Sequence, residues 1–301
     1  MISNLNPTAQ QFVDGVNRIS DDMQKAQSQL STGLRVTQVS DAPDEISTLL
    51  QARANLSATQ QIQSNLGRVK TEVDAGEQAL QSAVQLFDQV QTLGAEGDTD
   101  TATAEARADL AQELGSILQQ MVGLTGTTVE GRFIFSGDSD QQVPYTVDLT
   151  QANPVSAYLG SASTRVAQHP NGTTFSIAET AQTIFDSADA STNVFAAINN
   201  LRNALVNNDD ASIQSAVNGL SKAGEYLNRQ LAFYGTTQNK IAEATDYGST
   251  LATQLQVQIG NLEDADMTAA IEDFTQAQVQ QQAALESRAQ MPRATLFDYL
   301  A

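Results

Sequence analysis

Residues 29–45 read QLSTGLRVTQVSDAPDE, and the way this stretch interrupts two helical patterns decides the fold. Upstream of it, apolar side chains fall at Phe12, Val16, Ile19, Met23, Ala26 and Leu30. Alternating steps of four and three residues mark the single apolar seam of a helix that pairs with another helix. The seam stops at Gly33, a residue type that ends helices because it enters the left-handed region without a Cβ clash. Ser40, Asp41 and Pro43 then read as the cap and first turn of a second helix. A long amphipathic helix over 5–33 is therefore hinged, through a short extended segment, to another that opens near Asp44. A second seam near the C-terminus, through Met267, Ile271, Phe274, Gln278, Gln281 and Leu285, makes the two chain ends a matched pair.

The bulk numbers suit helix seams better than a large globular core. Hydrophobic residues make up 41% of the 301, enough to exclude wholesale disorder, yet aromatics are only 5% and tryptophan is absent. Fifteen basic against 35 acidic side chains give a formal charge of −20, which excludes a nucleic-acid partner because phosphate contacts need clustered Lys and Arg. Residues 1–40 carry three acids and three bases, and 268–301 carry four and two, so almost all the excess lies between them. Near-neutral ends on an acidic middle predict that the ends pack together while the middle faces water. No stretch of eighteen apolar residues is present and the N-terminus lacks a basic, apolar leader, so neither a membrane span nor a cleavable signal peptide is expected.

The remaining seams fill in a helical protein. Val69, Val73, Leu80, Val84 and Phe87 share a face of the second helix, which ends in the loop Gly94-Ala95-Glu96-Gly97-Asp98. Leu110, Leu114, Ile117, Met121 and Leu124 define a third helix over about 103–129, and the short connection predicts an antiparallel hairpin. GRFIFSG at 131–137 reads as a short aromatic strand between two glycines. Tyr145, Val166, Phe175 and the turn Pro170-Asn171-Gly172 predict a β-rich insertion over 139–178, too thin to hold a core without leaning on a neighbour. Helix returns with Val194, Ile198, Leu201 and Leu205, and from Ile213 to Leu262 one seam runs on. That last run predicts a helix of about 50 residues, about 75 Å long, which needs partners along its whole side. Helices two and three supply them. The register breaks at Asp264-Ala265-Asp266, Pro292 ends the last helix, and Leu296, Phe297 and Leu300 close the chain as an apolar tail that requires a covering surface.

Taken together these segments resemble the flagellin superfamily, and within it the hook–filament junction branch. LSTGLRV at 30–36, SDAP at 40–43, GRFIFSG at 131–137, ADM at 265–267 and LFDYL at 296–300 carry the resemblance. The first is shared by flagellins generally, and the second, third and last tilt towards the junction branch. The resemblance spans nearly the whole chain and is weak only in the β insertion. It implies a mainly α fold with a small β insertion. Residues 1–40 plus 267–301 would form an inner coiled-coil domain, 41–138 plus 179–266 a helical rod, and 139–178 an outer β-rich domain. It also implies a structural adaptor of the bacterial flagellum, exported unfolded by the flagellar type III apparatus and ending outside the cell. The implied partners are further copies of itself in a ring, a neighbouring hook-associated junction protein, flagellin, and an export chaperone on the C-terminal helix.

At residue level, Phe12, Val16, Ile19, Met23 and Leu30 are expected to meet Ile271, Phe274 and Leu285 in the assembly interface, joined by the tail residues Leu296, Phe297 and Leu300. Gly33, Arg35, Asp41 and Pro43 are expected to act as the hinge. One amphipathic helix cannot bury its stripe alone, so both terminal segments are expected to order on assembly. No enzymatic role, cofactor or metal is expected: there is no cysteine, and the lone histidine, His169, precedes Pro170 in a turn. Asp98, Asp100 and Glu105 lack the glycine and ligand spacing of a calcium loop. Two alternatives share the seams. Flagellin itself is one; a coiled-coil signalling protein is the other, though it needs neither the β insertion nor apolar chain ends.

Overall fold

A computed structural model describes residues 7–290, and the chain is mostly helical. The helices are α1 Pro7–Thr32, α2 Ile46–Gly97, α3 Ala104–Thr125, α4 Ala181–Phe185, α5 Val194–Val206, α6 Asp210–Glu263 and α7 Met267–Gln290. Short strands β1 Thr128–Val129, β2 Arg132–Phe133, β3 Val166–Gln168 and β4 Thr174–Ser176 form two antiparallel pairs. The chain divides into two compact units, one drawn from Met1–Ser57 and Leu251–Ala301, the other Ala58–Thr250. The tail residues Leu296, Phe297 and Leu300 lie outside the described residues.

In the Ala58–Thr250 unit, α2 and α6 run antiparallel. Gln63 donates to the Ser249 hydroxyl at 3.0 Å and Gln238 to Asp74 at 2.9 Å, so low numbers on one helix meet high numbers on the other. α6 is 54 residues long, close to the length its seam predicts. It begins three residues before Ile213 because Asp209 accepts from the Ala211 N–H at 3.2 Å and caps it. Ile213, Leu220, Leu227, Tyr234 and Ile241, all on that seam, are buried. They share one core with Phe87 of α2, Leu114 and Met121 of α3, and Ile198 and Leu201 of α5. Burying each such side chain contributes about 1.5–3 kcal/mol, which is what holds so long a helix in place.

Several elements differ from the sequence reading. α2 runs on through Gly97, so Gly94-Ala95-Glu96-Gly97 is helix where the sequence reading expects a loop, and the Asp98 N–H still bonds the Gly94 carbonyl at 3.0 Å. α3 stops at Thr125 rather than near 129, because the Gly126 N–H turns back to the carbonyls of Gly123 and Leu124. GRFIFSG is a strand only at Arg132-Phe133, which pairs with Thr128-Val129 across a turn whose central residues, Glu130 (φ 51°) and Gly131 (φ 77°), are both left-handed. That is the type I′ hairpin geometry. The Ile134 N–H still donates to the Thr127 carbonyl at 3.1 Å, and Ile134, Phe135 and Ser136 then run into the core, all three buried. The five-residue α4 is too short for periodicity to reveal it, although its cap is clear: the Thr180 hydroxyl accepts from the Thr183 N–H at 3.2 Å.

Within 139–178 the strand residues are those of β3 and β4, with an isolated bridge between Val147 and Val155. The expected turn is present: the Gly172 N–H donates to the His169 carbonyl at 2.9 Å, and Asn171 Oδ1 accepts from the Thr173 N–H at 2.9 Å. Tyr145, Ala167 and Ile177 are buried in the same core as the helices, the dependence that so few apolar residues impose. Tyr145 donates to Asp186 at 3.0 Å, and burial beside that carboxylate raises its phenol well above the ordinary value. Burial likewise pushes Tyr158, which donates to the Phe135 carbonyl, up to about 12.

Candidate functional site

The candidate site is the region where the two terminal helices meet the hinge, all within the unit drawn from the chain ends. α1 packs antiparallel on α7. Gly33 at the end of α1 accepts from the Ala265 N–H at 2.9 Å, while the Arg288 guanidinium lies 5.4 Å from the Phe12 ring centre. On α1 the seam residues Phe12, Val16, Ile19, Met23 and Leu30 are half-buried and Ala26 is buried. On α7 the packed face is Ala270, Phe274 and Ala277, with both alanines buried and Phe274 half-buried.

This face is not the one expected. Ile271 and Leu285 are exposed at 55% and 56%, and Met267 at 44%, so α1 does not meet them within the chain. One residue step turns a helix by about 100°, so a face centred on Ala270 and Ala277 carries Ile271 round towards solvent. The small alanines let the two backbones approach, and the larger apolar side chains are left as a stripe beside the packed face. Of the expected α7 set, the structure brings only Phe274 to α1.

The hinge residues are built into a network. Gly33 is left-handed (φ 73°) and its N–H returns to the Gln29 carbonyl at 2.8 Å, the glycine C-cap its sequence position predicts. The chain then runs beside the end of α6: Leu34 bridges to Asp264, and the Arg35 N–H donates to the Glu263 carbonyl at 2.6 Å. The Arg35 Nη2 donates to both the Glu45 carboxylate and the Leu262 carbonyl, the latter at 2.7 Å. Asp41 accepts from the backbone N–H of Gln38 at 2.7 Å, and from the N–H and hydroxyl of Thr37 at 2.9 and 3.0 Å. These donors, Gln38 first, hold its carboxyl below the usual value, with Lys25 adding a weaker attraction. Pro43 lies in the turn that leads into α2. Beneath the network Val36, Ala42 and Leu49 form a small core, with Ile46, Ile259 and Leu262 packed on it.

Sequence reasoning names Gly33, Arg35, Asp41 and Pro43 but not the groups that Arg35 and its neighbours bind. Glu45, the Leu262 carbonyl and the Glu263–Arg53 ion pair complete the hinge, and Glu263 is buried. Glu45 stands within the same 29–45 stretch, ten residues from Arg35, and is not picked out there. The α6 contributions lie more than 200 residues away and leave no local signal.

The arrangement fixes backbone geometry with hydrogen bonds and ion pairs, and holds apolar faces apart or together. A cleft of about 450 Å³ between α1, α7 and the hinge is lined by Lys25, Arg35, Asp41 and Asp273, charges of both signs. Among the described residues no group of three or more His, Asp or Glu is placed to hold a metal ion, and no helix is long and apolar enough to cross a membrane. His169 sits in its turn, with Nδ1 accepting from the Asn171 N–H at 3.1 Å and its ring 5.2 Å from that of Tyr247.

Comparison with known proteins agrees with this layout. The family model of the bacterial flagellin N-terminal helical region matches residues 2–140, and that of the flagellin C-terminal helical region matches 212–300. The flagellar hook-associated protein 3 of Escherichia coli is 26% identical over 315 residues, covering 96% of this chain and 96% of that protein. A flagellin of Clostridium tyrobutyricum is 24% identical over 128 residues, covering 42% of this chain and 34% of that protein. The crystal structure of the flagellar hook-associated protein-3 of Legionella pneumophila shares the fold, with a TM-score of 0.62 at 12% identity, covering 72% of this chain and 98% of that one. With both terminal helical regions matched, on either side of the residues that form the β insertion, the chain belongs to the flagellin superfamily.

Proposed function

We propose that this chain is a structural, non-enzymatic adaptor of the bacterial flagellum, acting at the junction between hook and filament. The observation that carries the reading is the end-to-end likeness to a hook-associated protein 3, 96% of both chains, against a flagellin match confined to 42% of this one. In this reading 1–40 with 267–301 form the inner coiled coil, 41–138 with 179–266 the rod, and 139–178 the outer β-rich part. Copies of the chain join in a ring. The exposed stripe Met267, Ile271 and Leu285 is the face that meets a neighbouring subunit, with Leu296, Phe297 and Leu300 completing the contact. A hook-associated junction protein lies on one side and flagellin on the other. The chain is exported unfolded through the flagellar type III system while a chaperone covers its last helix.

The seam between α1 and α7 is thin, since its buried members are alanines. Thin seams open readily, so the terminal helices gain most of their protection on assembly. Amide exchange on the monomer is expected to be faster in α1 and α7 than in α2 and α6, and to slow in the assembled ring. Equal protection throughout the monomer would count against it.

The experiment that tests the role is electron microscopy of cells lacking the gene, with an assay for flagellin in the medium. Hooks without filaments and free flagellin outside support the junction role. Missing filaments with no flagellin outside would instead make this chain the filament subunit, and normal filaments would overturn both.

A further inference from the structure

We propose that the Ala58–Thr250 unit carries a binding site for a small organic carboxylate with an apolar body, in a cleft shared by Arg68, Arg132 and Arg165. The cleft holds about 480 Å³, within the range of small-molecule sites. Three arginines line it, from α2, from β2 and from the chain entering β3, against two carboxylates, Glu72 and Glu130, so the cleft is net basic on a protein whose formal charge is −20. One wall is apolar, made by Ile62, Leu66 and Val69 on successive turns of α2.

The donors are only partly used. Arg165 gives one nitrogen to Glu72 at 2.9 Å and another to the Ile134 carbonyl at 3.1 Å, but its buried Nε has no protein acceptor. That nitrogen is closed off from solvent and both its neighbours are engaged, so the donors open to a ligand are those of Arg68 and Arg132. Arg68 donates to the neutral Asn65 amide oxygen at 2.8 Å, and Arg132 reaches Asp140 only at 3.6 Å while 61% exposed. Each guanidinium carries five donors in a planar fork that fits a carboxylate bidentately.

Glu130 also lines the cleft, from a left-handed turn position where glycine, asparagine or aspartate is usual. A side chain kept in a strained position at a cleft points to use of what it carries. Its negative charge disfavours a ligand with a second anionic group. The site therefore takes a monoanion, its carboxylate on Arg68 and Arg132 and its apolar body on the α2 wall.

The test is a titration of the full chain, followed by amide NMR shifts, with N-acetyl-leucine and with the neutral N-acetyl-leucinamide. N-acetyl-leucine is expected to shift the amides of Arg132, Arg165 and Ala167 saturably, and the neutral amide to bind about tenfold more weakly. Arg132→Ala, at an exposed position, is expected to lower the affinity about tenfold and leave thermal unfolding unchanged. Absence of saturable shifts, equal affinity for the two probes, or an unaltered affinity in Arg132→Ala would each overturn the proposal. The cleft lies in one unit and uses none of the hinge residues, so its failure leaves the junction role untouched.

Discussion

The Arg35 guanidinium donates to the main-chain carbonyl of Leu262 at 2.7 Å, tying together positions 227 residues apart. The same nitrogen holds Glu45, so one side chain links the segment after α1, the start of α2 and the last turn of α6. Arg35→Ala removes both contacts. With the side chain 41% exposed, the loss is expected to be about 1 kcal/mol after allowing for solvent screening. Arg35→Lys restores charge but not the double contact from one planar group, so it should recover less than half. Urea unfolding of the three proteins checks this; full recovery by lysine would mean that charge alone matters.

The split between packed and exposed faces of α7 yields a paired expectation. Ile271→Asp changes a solvent-facing residue and should leave monomer stability within about 0.5 kcal/mol while abolishing assembly. Ala277→Asp places a carboxylate in the buried seam and should cost about 2 kcal/mol or more, with loss of helical signal. Phe274→Asp, at the half-buried member of the packed face, is expected to abolish assembly and leave a folded monomer, at a smaller cost than Ala277→Asp. Circular dichroism and sedimentation separate the outcomes. Assembly by Ile271→Asp would remove the stripe from the interface.

Much of this was legible because the relevant signals are local or periodic. The seam from Ile213 onward needs only a count of fours and threes, and Gly33 and Asp41 act through neighbours within four residues. What stayed hidden depends on partners distant in sequence. Ile271 and Leu285 continue the apolar period of α7, but the period does not say whether they face α1 or another chain. Ala270 and Ala277 attract no notice, although their small size decides the contact. GRFIFSG is aromatic and bounded by glycines like a strand, but the left-handed Glu130 turn and the core around Phe135 cut it short. The arginine cleft had no sequence signal, since Arg68, Arg132 and Arg165 share neither spacing nor motif.

Gly137 gives a sharper test of the segment that runs into the core. Its φ is 61°, and a Cβ there would lie 2.2 Å from the Ser161 carbonyl oxygen and 2.6 Å from that of Ser163. Both neighbours are backbone and cannot swing aside. Gly137→Ala is expected to destabilise the Ala58–Thr250 unit by about 2 kcal/mol or more. Glu130→Gly removes a left-handed side chain instead, and should stabilise by about 0.5–1 kcal/mol. Denaturant midpoints read both signs; a neutral Gly137→Ala would mean that the 161–163 chain yields at little cost.

The hinge should also respond to acid. The carboxyl of Asp41 titrates below its ordinary value of 3.8, chiefly because the Gln38 and Thr37 N–H groups bind its ionised form. The unfolded chain therefore binds the proton more readily than the folded one near that pH. Its contribution to stability is present above the unfolded value and is lost as pH falls through the folded one. Asp148, Asp189 and Asp209 are lowered in the same way, by Thr150, Ser191 and Ser212, so the acid sensitivity of the whole chain does not isolate the hinge. The difference between wild type and Asp41→Asn does. Asparagine keeps an acceptor oxygen but no charge, so the wild type should melt higher at neutral pH and the gap should close below about pH 4. A gap that persists at pH 2 would assign the effect of Asp41 to shape and hydrogen bonding rather than to its charge.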